Sequence, residues 1–264
     1  MTSLLDLPLE ILDCIVDLLC EEPKALSDCC LVSKLLFPRA RNHLFSDVNI
    51  LDSRTLQRWS RTFPDPQSSP ARHARSLLIG CVEVLTTNDA NEGSLIRSFT
   101  NVESLEVWGG NFDRSRPYSP FVPLHSLSSV KSLRIWASFL LSEVIKLLRA
   151  LPLLENLSLL QSKEAIDDID ECRINFQHQP SPTLTGTLVL QGRRLKHIVR
   201  LLSALPTGHH FRKIWWKESY EKEIEAVMAL MEKCCNTLEY IHLEAPYYAD
   251  GRPSLFNPCD RFDI

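Results

Sequence analysis

The residue types that do chemistry are present in this chain, but not at the spacing that chemistry needs. Asp167 and Asp168 form a carboxylate pair inside Glu-Ala-Ile-Asp-Asp-Ile-Asp-Glu, residues 164–171. A general acid needs an apolar setting that lifts its pKa away from that of its partner base, and the sequence supplies none around this pair. A run of five acidic residues reads instead as a solvated surface that could attract a basic partner. His209 and His210 are adjacent, so they cannot easily face one metal ion together, and no third ligand stands at metal-site spacing. The nine cysteines lie at 14, 20, 29, 30, 81, 172, 234, 235 and 259 with no Cys-x-x-Cys. That scatter fits neither a zinc module nor a secreted disulfide framework and predicts reduced, buried thiols. No glycine-rich phosphate loop, Gly-x-Ser-x-Gly elbow or His-Glu-x-x-His occurs, and eight glycines leave little material for one. The expectation is a chain with no catalytic residue, metal or cofactor of its own.

What remains is the chemistry of binding. Arg193, Arg194, Lys196, His197 and Arg200 lie close together, and His209, His210, Arg212 and Lys213 follow. These residues lack an interleaved aromatic platform and a nucleic-acid fold motif, and the chain's formal net charge is −4, so nucleic acid is not an expected partner. No run of about 18 uncharged apolar residues exists to span a membrane, and no basic segment followed by a signal-type apolar stretch opens the chain. These features predict an intracellular protein, cytoplasmic or nuclear, without a membrane partner. Trp108 and Trp136 are the more pointed candidates, and their meaning depends on what positions them.

A phrase recurs from residue 74 onward: apolar-x-x-apolar-x-apolar. It appears as Ala74/Leu77/Ile79, Val102/Leu105/Val107, Val130/Leu133/Ile135, Leu154/Leu157/Leu159, Thr185/Leu188/Leu190, Phe211/Ile214/Trp216 and Leu238/Ile241/Leu243. The middle positions are separated by 28, 28, 24, 31, 26 and 27 residues. Helical spacing fills several of the gaps, at 139–152, 193–206 and 219–235. One strand and one helix per step of this length is the signature of a leucine-rich-repeat solenoid, in which stacked repeats bury one continuous core. Side chains alternate along each strand, so the residues between the apolar positions line the concave face. One column runs Glu106, Arg134, Ser158, Val189, Trp215, His242 and the next Trp108, Trp136, Leu160, Gln191, Lys217, Glu244. The expected target-binding residues are Glu106, Trp108, Arg134, Trp136, Leu160, Trp215, Lys217 and His242. Trp is strongly enriched among binding hot spots. Two readings of the Trp108–Trp136 pair stay open: an exposed recognition patch, or satellite core beneath the segment 111–123.

The first 45 residues read differently, as three short helices. In Leu-Pro-Leu-Glu-Ile-Leu-Asp-Cys-Ile-Val-Asp-Leu-Leu (7–19) the acidic residues Asp6, Glu10, Asp13 and Asp17 share one sector, and apolar residues cover nearly all the rest. One core-facing stripe is about 100° wide or somewhat more, so this helix has a spare apolar face. A second helix starts near Lys24 and a third follows Pro38.

The order Leu7-Pro8-x-Glu10-Ile11, then Ile15 and Leu18, then Ala-Leu-Ser-Asp-Cys-Cys-Leu-Val-Ser-Lys-Leu-Leu-Phe-Pro-Arg-Ala-Arg-Asn-His-Leu-Phe (25–45) closely resembles the F-box, particularly as found in large fungal families. The resemblance covers residues 4 to 48. Where family members carry a Trp or similar aromatic after the Val-Ser, this chain has Leu35 and Leu36 before Phe37. The resemblance implies a three-helix module that packs on the Skp-type adaptor of a cullin-RING (SCF-type) ubiquitin ligase, with the spare face as the docking surface. It implies adaptor contact for Leu7, Pro8, Ile11, Ile15, Leu31 and Val32, and internal packing for Leu18, Leu26 and Phe45. The expected fold is α/β: an F-box helical module at 1–47, a connecting strand, helix and Pro/Ser loop at 48–70, and a leucine-rich-repeat-like domain of about seven strand-helix repeats with a parallel sheet at 71–264. The expected function is that of a non-catalytic substrate receptor, linked through the adaptor to cullin and holding a target protein whose identity the sequence does not disclose. The alternative expectation is a repeat scaffold with a degenerate F-box acting outside any ligase.

Overall fold

The computed structural model describes residues 7–65, 67–80, 96–108, 127–136, 141–160, 183–192, 198–199, 202, 210–217 and 224–244. Three helices come first: α1 (Leu9–Leu18), α2 (Pro23–Val32) and α3 (Phe37–Leu44). A proline stands at the start of each, Pro8 as the residue before α1, Pro23 as the first of α2 and Pro38 in the first turn of α3, where its missing N–H has no intrahelical partner to lose. Then follow β1 (Asp47–Ile50), α4 (Ser53–Thr62), a 3-10 turn (Pro70–His73), β2 (Ser76–Ile79), β3 (Ser104–Trp108) and β4 (Ser132–Trp136). After them come α5 (Leu141–Ala150), β5 (Asn156–Leu160), β6 (Thr187–Gln191), β7 (Lys213–Lys217), α6 (Ile224–Cys234) and β8 (Tyr240–Leu243). Asp52 caps α4, its carboxylate accepting the Thr55 N–H at 2.7 Å, and that bond holds the Asp52 carboxyl below its ordinary value.

The fold is α/β. The eight described strands form one parallel sheet in the order β1 to β8, each pairing with its neighbour in sequence, the arrangement a solenoid generates. The repeat phrase sits in register: Leu77 pairs with Leu105, Leu105 with Leu133, Leu133 with Leu157, and so on to Ile214 with Ile241. The connecting segment at 48–70 supplies a further rung, because β1 pairs with β2, Val48 opposite Leu77. Helical predictions at 139–152 and 219–235 correspond to α5 and α6. Of 193–206, only Ile198, Val199 and Leu202 are described, all buried.

Backbone hydrogen bonds at the start of each strand hold this register. The carbonyl of Ser46 accepts from Arg75 and Ser76, that of Arg75 from Glu103 and Ser104, that of Glu103 from Lys131 and Ser132, and that of Lys131 from Glu155 and Asn156. One rung departs. Glu155 O accepts only from Gly186, and the Thr187 N–H turns to Asn156 Oδ1 at 2.8 Å. A Cβ on Gly186 would lie 2.3 Å from that oxygen, so this close approach requires glycine. The same rung corrects one repeat phrase: Leu184, at 1% exposure, points into the core in place of Thr185, because an extra residue separates the inward position from the strand. Asn156 thus replaces one backbone acceptor of an irregular rung with its side chain.

Two cores result. The larger runs without a break from Val48 to Cys234 and takes the inward residues of every strand from β1 to β7. The smaller holds Leu12, Val16, Leu26, Leu36 and Ala40, with Leu19, Cys29, Cys30 and Leu44 against it. Between them stands an aromatic joint. Phe45 meets Trp59 and Phe63 edge-on, with centroids 6.0 Å away in each case, and Trp59 continues to Phe99 at 5.8 Å. Phe45, expected inside the helical module, therefore ties the module to α4 and the sheet.

Candidate binding surfaces

On α1 the core takes Leu12 and Val16. Leu7, Ile11, Ile15 and Leu18 fall together in a separate sector roughly 80° wide at 100° per residue. Of these, Leu7, Ile11 and Leu18 are exposed and Ile15 is half-buried. Pro8 is exposed too. Leu31 and Val32, which end α2, are 82% and 72% exposed. Leu18, expected in internal packing, is 84% exposed, because its direction on α1 lies with Ile11 rather than with Leu12. Leu26 is buried as expected. Leu36 fills the small core while Leu35 and Phe37 stay exposed.

The acidic sector of α1 has a structural use that its pattern did not disclose. Asp17 accepts two hydrogen bonds from Arg39, at 2.6 and 2.7 Å, and one from His43 Nε2 at 2.7 Å. Arg39 and His43 are four residues apart, one turn of α3, so both reach the same carboxylate. The Arg39 guanidinium first, and the His43 imidazole second, hold the Asp17 carboxyl well below the usual carboxylate range. This fork-like staple fixes α1 across α3 and leaves the apolar sector pointing away.

The second surface is the face of the sheet opposite its core. Trp108 and Trp136 pair in register and are each 44% exposed. The Trp108 indole N–H donates to Glu106 Oε1 at 2.6 Å, and Glu106 Oε2 lies 3.6 Å from Arg134. At the other end Trp215 packs against His242, with centroids 4.9 Å away, and against Tyr240 at 5.6 Å. Lys217, Trp215 and His242 are half-buried on this face. Leu160 is the exception among the expected contact residues. At 8% exposure it is buried, a shorter side chain lying in register between Trp136 and Gln191.

A third feature was not anticipated. The residues just before the strands alternate in charge: Arg75, Glu103, Lys131, Glu155, then Gly186, then Arg212, Glu239. Arg75 meets Glu103 at 2.7 Å and Arg212 meets Glu239 at 2.5 Å. All four are largely exposed, so the pairs tune register more than stability. A sign count along the period near 27 would have found them.

Among the described residues no group of three or more His, Cys, Asp or Glu could hold a metal ion, and no helix is long and apolar enough to cross a membrane. His210 is exposed. The acidic run at 164–171, the segment 111–123, Arg193 to His197, Arg200, His209, Cys81, Cys172 and Cys259 lie outside the described residues. The described cysteines are free thiols, but Cys14, Cys20 and Cys235 are exposed rather than buried, and only Cys234 is fully enclosed. Cys14 lies on α1 away from its buried side, and Cys20 and Cys235 lie just past the ends of α1 and α6. Comparison with protein-family models, with curated proteins and with solved structures finds no match.

Proposed function

We propose that this chain is a substrate receptor of an SCF-type ubiquitin ligase, its three N-terminal helices acting as an F-box on a Skp-type adaptor and its sheet face holding a target. One observation carries the reading. The helical module buries five apolar residues in its own core yet exposes eight large ones: Leu7, Leu9, Ile11, Leu18, Leu31, Val32, Leu35 and Phe37. Single exposed apolar residues are ordinary; eight within one small module, six of them on its three helices, mark an interaction surface. Burying about five of them yields on the order of 8 to 15 kcal/mol gross, against an association cost of about 4 to 15 kcal/mol, a scale on which a lasting complex forms when the fit is good.

In this reading the chain does no bond-making. It holds a target near a catalytic subunit and so supplies proximity and orientation. The test is co-expression with a Skp-type adaptor followed by size-exclusion chromatography. The pair is expected to elute together, and Ile11→Asp to release the adaptor while the sheet stays folded. A folded chain that never retains adaptor contradicts the proposal and favours a scaffold acting outside any ligase.

A further inference from the structure

The two ends of the outer sheet face differ in charge, and the difference names a class of target. At β3–β4 the charges are already answered. Glu106 takes the Trp108 N–H on one oxygen and lies 3.6 Å from Arg134 on the other, so what this end presents is two indoles in register, Trp108 held by Glu106 and Trp136 on the next strand. At β7–β8 the balance is reversed. Lys213 and Lys217 stand two residues to either side of Trp215 on the same face, and among the described residues neither is in an ion pair, whereas Arg212 is matched by Glu239. Glu244, just past β8, is likewise in no ion pair with either lysine. Trp215, which lies between the two lysines along β7, packs against Tyr240 and His242. The rungs between the ends carry Ser158, Leu160, Thr187, Val189 and Gln191, all uncharged.

We propose that this face takes an extended, acidic segment of a protein target, with an apolar or aromatic side chain seated on Trp108 and Trp136 and carboxylates on Lys213 and Lys217. This rests on the reading of the sheet face as the target-binding surface. The geometry permits one segment to reach both ends: three strand spacings of about 4.8 Å separate β4 from β7, about 14 Å, which roughly four to five residues of extended chain span. Lys213 is exposed and Lys217 half-buried, and a carboxylate brought to either makes a charge-assisted contact. A nucleic acid fits less well, because two lysines on a chain of net charge −4 make few phosphate contacts.

The test is panning of a phage-displayed random peptide library on the full chain, then fluorescence anisotropy with the synthesised winners. The expected winners are net acidic and carry a Trp, Phe or Leu. Their binding weakens at least about tenfold in Lys213→Glu/Lys217→Glu, falls with added salt, and is lost in Trp108→Ala/Trp136→Ala. All four positions are solvent-facing, and circular dichroism checks that each variant is folded. Winners without acidic bias that still depend on Trp108 and Trp136 overturn the charge assignment while leaving the face as the target site. Winners indifferent to both variants, or no winners, overturn both. Tighter binding of poly(U) RNA through the same lysines overturns the proposal in favour of nucleic acid.

Discussion

The helical module and the sheet solve the burial problem in opposite ways. In the sheet, the inward residues of β1 to β7 are at most 6% exposed, and the core continues from rung to rung. In the module, the apolar residues left outside outnumber those inside. A solenoid grows its core by repetition, each rung covering the last. A unit of about 40 residues cannot do this, since its surface is large relative to its volume. It leans on its neighbour through Phe45, and the remaining apolar surface is available to a second polypeptide. The comparison teaches that exposure here follows from where the chain stops repeating, and that the two regions should respond differently to mutation.

The joint between them is where the comparison breaks most easily. Trp59→Ala removes the ring that links Phe45, Phe63 and Phe99, and is expected to cost about 3 kcal/mol and to split urea denaturation into two transitions. Trp59→Phe is expected to be mild, because the Trp59 indole N–H is buried with no hydrogen-bond partner among the described residues and its removal leaves none of them unpaired. A single transition in the alanine variant would show that the regions fold independently of this joint.

Within the sheet, Gly186→Ala places a Cβ against Asn156 Oδ1 and is expected to destabilise by about 1 to 3 kcal/mol. Adding Asn156→Ala should recover part of the loss in a double-mutant cycle, with thermal unfolding as the readout. Additive losses would place the strain elsewhere.

Within the module, the Asp17 staple makes stability depend on pH. Its carboxyl is held below the ordinary range in the fold by Arg39 and then His43. The stabilisation is therefore present in full above the unfolded carboxylate pKa of about 3.9, and is lost as pH falls from there through the folded value. Asp17→Asn is expected to lower the melting temperature modestly at pH about 7 and to match the wild type progressively better below pH about 4. An equal deficit at both pH values would assign the effect to packing.

The repeat was legible because its cause is periodic: a phrase that recurs in sequence must recur in space when each rung pairs with the last. Leu77, Leu105, Leu133 and Leu157 were therefore placed correctly from spacing alone. The irregular rung at Gly186 was not: its inward residue, Leu184, stands four before Leu188 where the other phrases have three, and Thr185 fills the regular slot. The spare face of α1 was legible from the angular count, and Ile11, Leu31 and Val32 are exposed. Leu18 was misassigned because family resemblance was set above its angle on the helix, and Phe45 because the sequence carries no mark of its long-range partners Trp59 and Phe63. The pattern puts Asp17 in the acidic sector of α1; only the approach of α3 brings Arg39 and His43 onto it. On the sheet face, Leu160 was read as exposed because alternation gives direction but not the height of neighbouring side chains.

The most direct measurement is isothermal titration of the purified chain with a purified Skp-type adaptor at several temperatures. The account predicts saturable binding with a negative heat-capacity change, the mark of apolar burial. That signal should vanish in Ile11→Asp and Leu31→Asp, whose unfolding free energies stay within about 0.5 kcal/mol of wild type because both positions face solvent. Binding that survives both substitutions, or no binding by the folded wild-type chain, would contradict it.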